Sequence, residues 1–329
     1  MSELDYDVVV IGSGISGLSA AIYAGRAGNS PLVIKGSEPG GQLTLTTDVA
    51  NYPGFPEGIS GPELINRMNK QARNFGASFS EGIVEDIDRS SNNSLKVTLS
   101  SDEAVITRSI IVASGASAKM LGVPGEEDLM GYGVSTCATC DGAFFRDDDM
   151  IVVGGGDAAL EEASFLTKFA DTVYLVHRRK EFRAEEYWVN EVKDKVGAGD
   201  IELVLNSELN QIDGSKEEGI ESVQVIEHPE GYPSDKEDEA DISTKRLDVE
   251  AVFVAIGHTP NTDFLDNTPV KTDESGYIQT LSTDSTGGTE TDMDGVFAAG
   301  DVVDYKYQQA ATASGMGVKA ALDVDSYLD

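Results

Sequence analysis

The 329-residue sequence predicts an α/β protein with two Rossmann-like dinucleotide-binding domains, one of them inserted within the other. Three observations lead to this fold class. A pattern of strand, glycine-rich loop, helix and strand occurs twice, which indicates a duplicated dinucleotide fold. The chain is long enough for two separate cores, and 40% of its residues are hydrophobic. Strand patterns near the C-terminus resemble the parts that complete the first domain rather than a third domain.

The first copy of the pattern begins near the N-terminus. Asp7–Ile11 is a short apolar run rich in β-branched residues, as expected of a buried parallel strand. The loop Gly12–Gly17 leads into a helix predicted over Ile15–Ala27, and a Gly-Asn pair follows as its stop signal. A second strand, predicted over Pro31–Lys35, completes a βαβ unit.

The second copy repeats the same order of elements. A strand is predicted over Met150–Val153, and the glycine-rich segment Gly154–Ala159 follows it. A helix then continues to about Phe169, and Thr172–Val176 forms the second strand. Two correctly ordered copies disfavour the alternative of an unrelated Gly-rich turn in some other α/β protein.

The C-terminal part of the chain indicates how the two domains are connected. Ala251–Ile256 is another apolar strand, and Val296–Ala299 runs directly into a Gly-Asp pair. These segments resemble the end of the first domain, so we predict a discontinuous domain of residues 1–116 and 251–329. The second domain, residues 117–250, is then inserted in it.

The glycine-rich loops have a specific physical role in binding a dinucleotide. Gly12 permits a tight turn, Gly14 lets the backbone approach a pyrophosphate, and Gly17 allows close packing of helix on strand. Ser13 lies in the same loop. The N–H groups at the start of the following helix then face the phosphates. The corresponding candidates of the second loop are Gly154, Gly156, Asp157 and Ala158.

The residues after each second strand distinguish between possible ligands. Those of the second copy are basic: His177, Arg178, Arg179 and Arg183. Arginine matches a ribose 2′-phosphate, so this site is predicted to bind NADPH rather than NADH. The alternative is a solvated basic cluster that balances Glu185 and Glu186. In the first copy Glu38 is a candidate acceptor for a ribose hydroxyl, and no arginine cluster follows the strand.

The only two cysteines, Cys137 and Cys140, form a Cys-x-x-Cys pair just before the second copy. A four-ligand zinc site would need further cysteines or grouped histidines, and the three histidines are scattered, so no metal site is predicted. A redox-active dithiol is favoured over a buried structural pair, because it exchanges two electrons and so matches one hydride. Asp141 is a candidate general acid or base for the sulfurs, with a helix cap or turn residue as the alternative.

Charge and composition restrict the partners. The chain has 58 acidic and 24 basic residues, a formal net charge of −34. Such a surface repels nucleic acid and anionic membranes. Since salt screens repulsion among carboxylates, we hypothesise a host with a salt-rich cytoplasm, with an acidic protein of an ordinary host as the alternative. No apolar run is long enough to span a bilayer, and the N-terminus does not resemble a signal peptide, so a cytoplasmic location is predicted.

Taken together, these motifs closely resemble the low-molecular-weight thioredoxin reductases of bacteria and archaea, over essentially the whole chain. The most specific stretches are Gly40–Thr44, Cys137–Gly142, the arginine cluster and Gly295–Asp301. The resemblance implies an FAD domain built from both chain ends, an inserted NADPH domain and a homodimer. It implies a further set of FAD-site residues: Gly40, Gly41, Gln42, Asn51, Gly300, Asp301, Gln309 and Ala310. The chain departs from the family at Gln308, where arginine is common.

The function predicted from these features is thioredoxin-disulfide reductase. A hydride passes from NADPH to FAD, and two electrons then pass to the Cys137–Cys140 disulfide, which exchanges with thioredoxin. By resemblance, Cys140 faces the flavin and Cys137 attacks the partner's disulfide. Three alternatives remain open: a flavin-dependent NADPH reductase of ferredoxin or small acceptors, the flavin subunit of a peroxide-reducing system, and a non-enzymatic flavin redox sensor.

Overall fold

The computed structural model describes residues 4–45, 49–90, 94–228, 242–281 and 288–329. The chain divides into two compact units. The first unit is Met1–Ser117 with Thr259–Asp329, and the second unit is Ala118–His258.

The first part of the chain begins with alternating strands and helices and continues with five successive strands. Its elements are β1 (Tyr6–Ile11), α1 (Ile15–Ala27), β2 (Pro31–Ile34), α2 (Gly61–Asn74), β3 (Ser78–Ser80), β4 (Val84–Arg89), β5 (Leu95–Leu99), β6 (Ala104–Val112) and β7 (Ala116–Ala118). The central part contains β8 (Val134–Ser135), α3 (Ala138–Asp141), β9 (Met150–Val153), α4 (Asp157–Leu166), β10 (Val173–His177), α5 (Glu186–Ala198), β11 (Ile201–Leu205), β12 (Ser207–Ser215), β13 (Gly219–Glu227), β14 (Ser243–Leu247), β15 (Ala251–Val254) and β16 (His258–Pro260). The C-terminal part adds β17 (Val296–Ala298) and α6 (Ala310–Leu328).

The first unit is built on a seven-stranded sheet of order β3-β2-β1-β6-β5-β4, with β17 paired to β6. Strands β3, β2, β1, β6 and β17 are parallel, whereas β4, β5 and β6 pair antiparallel. Alternate residues of β1 enter two different cores. Val8 and Val10 pack with α1, α2 and α6, while Val9 and Ile11 pack on the opposite face of the sheet. Burial on both faces explains why the four residues Val8–Ile11 of the strand are all apolar.

The second unit is built on a parallel five-stranded sheet of order β11-β10-β9-β15-β8. Met150 and Val152 of β9 pack toward α4 and α5 on one face. Ile151 and Val153 pack on the other face toward the antiparallel sheet β12-β13-β14. The strand β9 is therefore covered by helices on one side and by a second sheet on the other.

Both βαβ units predicted from the sequence are present, and α1 has the predicted bounds. Gly28 ends α1 in the left-handed region (φ 95°), where glycine has no steric penalty. The helix α4 ends at Leu166, earlier than the predicted end near Phe169, because the chain turns there and the N–H groups of Phe169 and Ala170 both bond to the Leu166 carbonyl.

The strand Ala251–Val254 lies in the second unit, whereas the sequence prediction placed residues 251–329 in the first domain. It pairs in parallel with β9 along its whole length. The prediction therefore ended the inserted segment one strand too early. The physical reason is that an apolar four-residue strand does not encode which of two parallel sheets it joins.

Candidate functional site

The first glycine loop follows β1 and starts α1. Gly12 has φ 110°, and a Cβ there would lie 2.2 Å from the Ala113 carbonyl oxygen. A Cβ on Gly17 would lie 2.0 Å from the Gly12 oxygen, so helix and loop touch through their backbones. Gly14 caps α1 without a side-chain hydrogen bond. The helix therefore presents open N–H groups, which suit a phosphate.

The hydroxyl of Ser13 connects this loop to the segment after β2. It donates to the Lys35 carbonyl oxygen at 3.1 Å and accepts from the Gly40 N–H at 2.9 Å. Gly41 is also close, since a Cβ on it would lie 3.4 Å from the Gly14 Cα. These contacts bring the predicted FAD-site residues of the two segments together.

Gln42 and Glu38 have different surroundings. The Gln42 side-chain amide donates to the Ala116 carbonyl oxygen, which fixes it against the end of the first chain segment. Glu38 is exposed, and its carbonyl oxygen accepts from the Gly41 N–H at 3.0 Å. The Glu38 carboxylate therefore remains accessible to a ligand hydroxyl.

Asp301 follows β17 through Gly300, a glycine with φ 86° that contacts Ser16 of α1. The Oδ1 atom of Asp301 is buried and has no hydrogen-bond partner within the described ranges. Burial, and to a lesser extent the nearby Asp304, raises the pKa of Asp301 to about 6. An unpaired buried carboxylate oxygen is costly unless a ligand donates a hydrogen bond to it.

The start of α6 lies next to Asn51. Gln309 caps this 19-residue helix through a reciprocal capping box with Thr312. The Asn51 amide donates to the Gln309 side-chain oxygen at 3.3 Å. Ala310 is the first helical residue, so its N–H belongs to the turn that has no intrahelical acceptor. Gln308, which stands where arginine is common in the family that the sequence resembles, has a backbone φ of 45°.

The second glycine loop repeats this arrangement between β9 and α4. A Cβ on Gly154 would lie 2.3 Å from the Ala255 carbonyl oxygen, and one on Gly155 would lie 2.2–2.5 Å from three ring atoms of His177. Nothing lies within 4 Å of a Cβ on Gly156, which caps α4 without a side-chain bond. The N-terminus of α4 is thus open to a ligand, while the Asp157 carboxylate accepts the Glu185 N–H at 2.7 Å.

The basic segment after β10 folds back onto this loop. His177 is buried and stacks on Phe182 with ring centroids 5.4 Å apart. The Arg183 N–H donates to the Gly155 carbonyl oxygen at 2.8 Å. Burial lowers the pKa of His177, the hydrogen bond to the Glu181 carbonyl oxygen opposes this, and the surrounding arginines lower the pKa further.

The arginine side chains are exposed beside the N-terminus of α4. In the described part of the chain, no carboxylate forms an ion pair with Arg179 or Arg183. The structure thus brings the predicted arginine cluster and the glycine loop to one edge of the parallel sheet. In a chain of net charge −34, the exposed Arg179 and Arg183 at this edge suit an anionic ligand.

The dithiol lies in the same unit. Cys137 and Cys140 form a disulfide with a Cα–Cα distance of 5.3 Å, and Cys137 caps the short helix α3. The Ser135 hydroxyl accepts from the Cys137 N–H at 3.0 Å and donates to Asp141 Oδ2 at 2.6 Å. Both cysteines are partly exposed. The pair is accessible, and Ser135 holds Asp141 on the same turn.

Three polar residues of this unit were not found from the sequence. Ser135 precedes the cysteines without any motif, and Glu185 contacts the loop through its backbone alone. Glu162 is largely buried on α4, and a helical pattern that includes Ala159, Ala163 and Leu166 could have placed it near the buried face.

Two dinucleotide loops and one dithiol on a single chain define a nucleotide-dependent disulfide oxidoreductase. The chain belongs to the pyridine nucleotide-disulphide oxidoreductase family, whose sequence profile matches residues 6–317. It is 45% identical to a thioredoxin reductase of Mycolicibacterium smegmatis, over 99% of this chain and 98% of that protein. It is also 42% identical to a Pseudomonas fluorescens protein named glucosaminate ammonia-lyase, over 98% and 95% of the two chains. The solved thioredoxin reductase from Giardia duodenalis superposes with a TM-score of 0.87 at 37% identity, covering 99% of each chain.

The described ranges contain neither a metal-binding group nor a membrane-spanning helix. There, no group of three or more His, Cys, Asp or Glu side chains is arranged to hold a metal ion. None of the helices in that part of the chain combines the length and apolar character needed to cross a bilayer.

Proposed function

We propose that this chain is an NADPH-dependent, FAD-containing reductase of thioredoxin disulfides. The observation that supports it most is the Cys137–Cys140 disulfide in the same compact unit as a glycine loop flanked by arginines. The relatives named thioredoxin reductase support the same function. Elimination of ammonia from an amino acid needs neither a dithiol nor a 2′-phosphate site, so these residues favour reduction over the lyase activity in the other relative's name.

The residues of each unit fit one dinucleotide. In the first unit, the open N-terminus of α1 suits the FAD pyrophosphate, and the unpaired Asp301 oxygen suits a ribityl hydroxyl. At the start of α6, the Ala310 N–H and the helix dipole suit the flavin pyrimidine edge, while the Gln309 N–H is already donated to the Thr312 hydroxyl. In the second unit, the loop Gly154–Gly156 suits the NADPH pyrophosphate. When bound, the two cofactors supply hydride transfer and its conversion to disulfide reduction.

The dithiol performs the exchange with the protein substrate. The Cys137 thiolate attacks the thioredoxin disulfide and forms a mixed disulfide, and Cys140 then displaces thioredoxin and restores the Cys137–Cys140 bond. Asp141, held by Ser135, lies one residue from Cys140 and serves as the group that takes and returns the sulfur proton. We further propose a cytoplasmic homodimer. Sedimentation at micromolar concentration tests the homodimer, because it measures whether the particle has the mass of one chain or of two.

A coupled assay tests the proposed function. The purified flavoprotein is mixed with thioredoxin and with NADPH or NADH, and pyridine oxidation is followed by absorbance. We expect turnover with NADPH, loss of thioredoxin reduction in Cys137→Ser, and retained ferricyanide reduction in that variant. Thr136→Ser is the matched control. Ferricyanide reduction without thioredoxin reduction in the wild type would instead indicate the small-acceptor reductase, and no turnover with any acceptor would indicate a sensor. Thioredoxin reduction by Cys137→Ser at the wild-type rate would contradict the role of the dithiol.

The arginine cluster predicts the choice of nucleotide. Replacing Arg179 by Gln removes a charged hydrogen-bond donor, so KM for NADPH should rise about tenfold to a hundredfold while KM for NADH stays unchanged. Lys180→Gln, at the exposed neighbouring position, is the control. Equal effects of the two variants, or a wild-type preference for NADH, would contradict the 2′-phosphate assignment.

A further inference from the structure

A threonine hydroxyl contacts one of the two sulfurs and has no part in the function proposed above. Thr139 lies between the cysteines on α3, and its side chain is exposed. The Oγ1 atom of Thr139 lies 3.4 Å from the Sγ atom of Cys137. Because a disulfide sulfur carries no proton, the hydroxyl is the donor of this hydrogen bond.

The backbone of Cys137 is held on both sides, which keeps its sulfur next to this hydroxyl. The Cys137 N–H donates to the Ser135 hydroxyl at 3.0 Å. The Cys137 carbonyl oxygen accepts from the N–H groups of Cys140 and Asp141, both at 3.2 Å. The contact between hydroxyl and sulfur is therefore part of a hydrogen-bonded turn.

The two sulfurs differ in their polar surroundings. Cys137 is the N-cap residue of α3, but its sulfur makes no hydrogen bond to the helix backbone. The Thr139 hydroxyl is thus the donor that the structure provides for the Cys137 sulfur. Within the described ranges, no hydroxyl lies at hydrogen-bond distance from the Cys140 Sγ atom. A donor at one sulfur alone makes the two cysteines chemically different once the disulfide is reduced.

The charged groups around α3 do not favour a thiolate. The helix α3 packs against α4 and against the short turn Gly142–Phe144, which has no titratable side chain. Apart from the cysteines, the titratable side chains of α3 and α4 are all acidic: Asp141, Asp157, Glu161 and Glu162. A carboxylate disfavours a second negative charge nearby. On these elements, a hydrogen-bond donor is therefore the kind of group that stabilises a charged sulfur.

We propose that Thr139 stabilises the thiolate of Cys137 through its hydroxyl group. Two electrons, supplied by the reductase activity proposed above, cleave the S–S bond. The Cys137 sulfur then keeps its negative charge and accepts the Thr139 hydrogen bond, while the Cys140 sulfur takes a proton from water. This hydrogen bond is stronger with a thiolate than with a disulfide sulfur, because the acceptor is charged. The inference rests on the proposed function, in which this thiolate attacks the substrate disulfide.

Alkylation of a single thiol tests the role of the hydroxyl. Since the chain has only two cysteines, Cys140→Ser leaves Cys137 as the sole thiol. The holoprotein with this substitution is alkylated with iodoacetamide between about pH 5 and about pH 10. Adding Thr139→Val should move the midpoint of the rate profile upward by about 0.5–1 pH unit, because the thiolate loses a donor. Thr139→Ser, which keeps a hydroxyl, and Thr136→Val, which changes the other threonine of the segment, should leave the midpoint unchanged.

Equilibration with dithiothreitol tests the same contact in the intact pair. The ratio of reduced to oxidised protein is measured near pH 8 at fixed amounts of dithiothreitol and its disulfide. In Thr139→Val this ratio should fall about threefold to tenfold, because the reduced form loses more stabilisation than the oxidised form. The exposure of Thr139 makes this variant compatible with folding, and Thr139→Ser should restore the wild-type ratio.

Two results would overturn the proposal. One is a Thr139→Val alkylation profile with the midpoint of the parent protein, and the other is an equal shift in Thr136→Val. Neither assay contains NADPH or thioredoxin. A shifted profile in a protein without thioredoxin turnover would therefore refute the proposed function and leave the effect of Thr139 on the sulfur standing. Normal turnover with an unshifted profile would refute the inference alone.

Discussion

The burial of Glu162 on α4 has a consequence for the stability of the protein. A glutamate with an ordinary pKa of 4.5 when exposed, and about 8 in the folded protein, keeps its proton on folding over the intervening pH range. Below pH 4.5 the group is protonated in both states and has no effect. As pH rises the unfolded chain releases the proton first, so the folded state loses stability progressively until about pH 8.

The magnitude follows from the two pKa values. The difference between about 8 and 4.5 corresponds to an upper limit of about 5 kcal/mol, at about 1.4 kcal/mol per pKa unit. Glu162 retains some exposure to solvent, which reduces the penalty, so we expect about 2–4 kcal/mol. In Glu162→Gln this dependence on pH is absent. The stability of the variant relative to wild type should therefore increase by that amount between acidic and mildly alkaline pH.

Urea unfolding at several pH values between about 5 and about 8.5 measures this change through the free energy of unfolding. Tryptophan fluorescence is a suitable signal, because the only tryptophan, Trp188, lies on α5 in the same unit as Glu162. Glu161→Gln serves as the control, since an exposed carboxylate has a much smaller effect. Parallel pH dependences of wild type and Glu162→Gln would refute the reasoning, because they would show that folding does not shift the protonation of this group.

Three further predictions concern other features. Gly155→Ala should raise KM for NADPH at least about tenfold without loss of FAD, because the new Cβ would overlap the neighbouring histidine ring. Gly197→Ala, where the new Cβ has open space around it, should leave KM unchanged. Ser135→Ala should lower the free energy of unfolding by about 1–3 kcal/mol, because it removes the hydrogen bond to Asp141. Thr136→Ala should change the free energy of unfolding far less, and equal losses in the two variants would argue against that hydrogen bond. The thermal midpoint should rise between about 0.1 and about 2 M KCl, as expected for a net charge of −34, and an unchanged midpoint would remove the salt-rich host hypothesis.

Features that depend on neighbouring residues were predictable from the sequence. The bounds of α1 follow from a glycine loop before it and a Gly-Asn pair after it. The β1 strand is visible as an apolar run because a parallel strand is covered on both faces. The cysteine pair is close in sequence, so a disulfide between the two residues requires only one local turn.

Features that depend on distant residues were not predictable in this way. The sequence of β15 does not indicate which strand it pairs with. Its pairing with β9 places β15 in the second unit, whereas the predicted domain boundary placed it in the first. The end of α4 is set by a turn rather than by a strong stop signal. Ser135 becomes important only because the turn after β8 brings its hydroxyl to the Cys137 N–H and to Asp141.

The sequence by itself determined the class of this protein: two nucleotide loops, the arginines that favour a 2′-phosphate and the dithiol, all of which are short motifs. Only the tertiary structure decided which carboxyl groups are buried away from solvent. Asp301 and Glu162 have raised pKa values because residues distant in the chain cover them. Local sequence sets backbone conformation, whereas the dielectric surroundings of a charge are set by whatever packs against it.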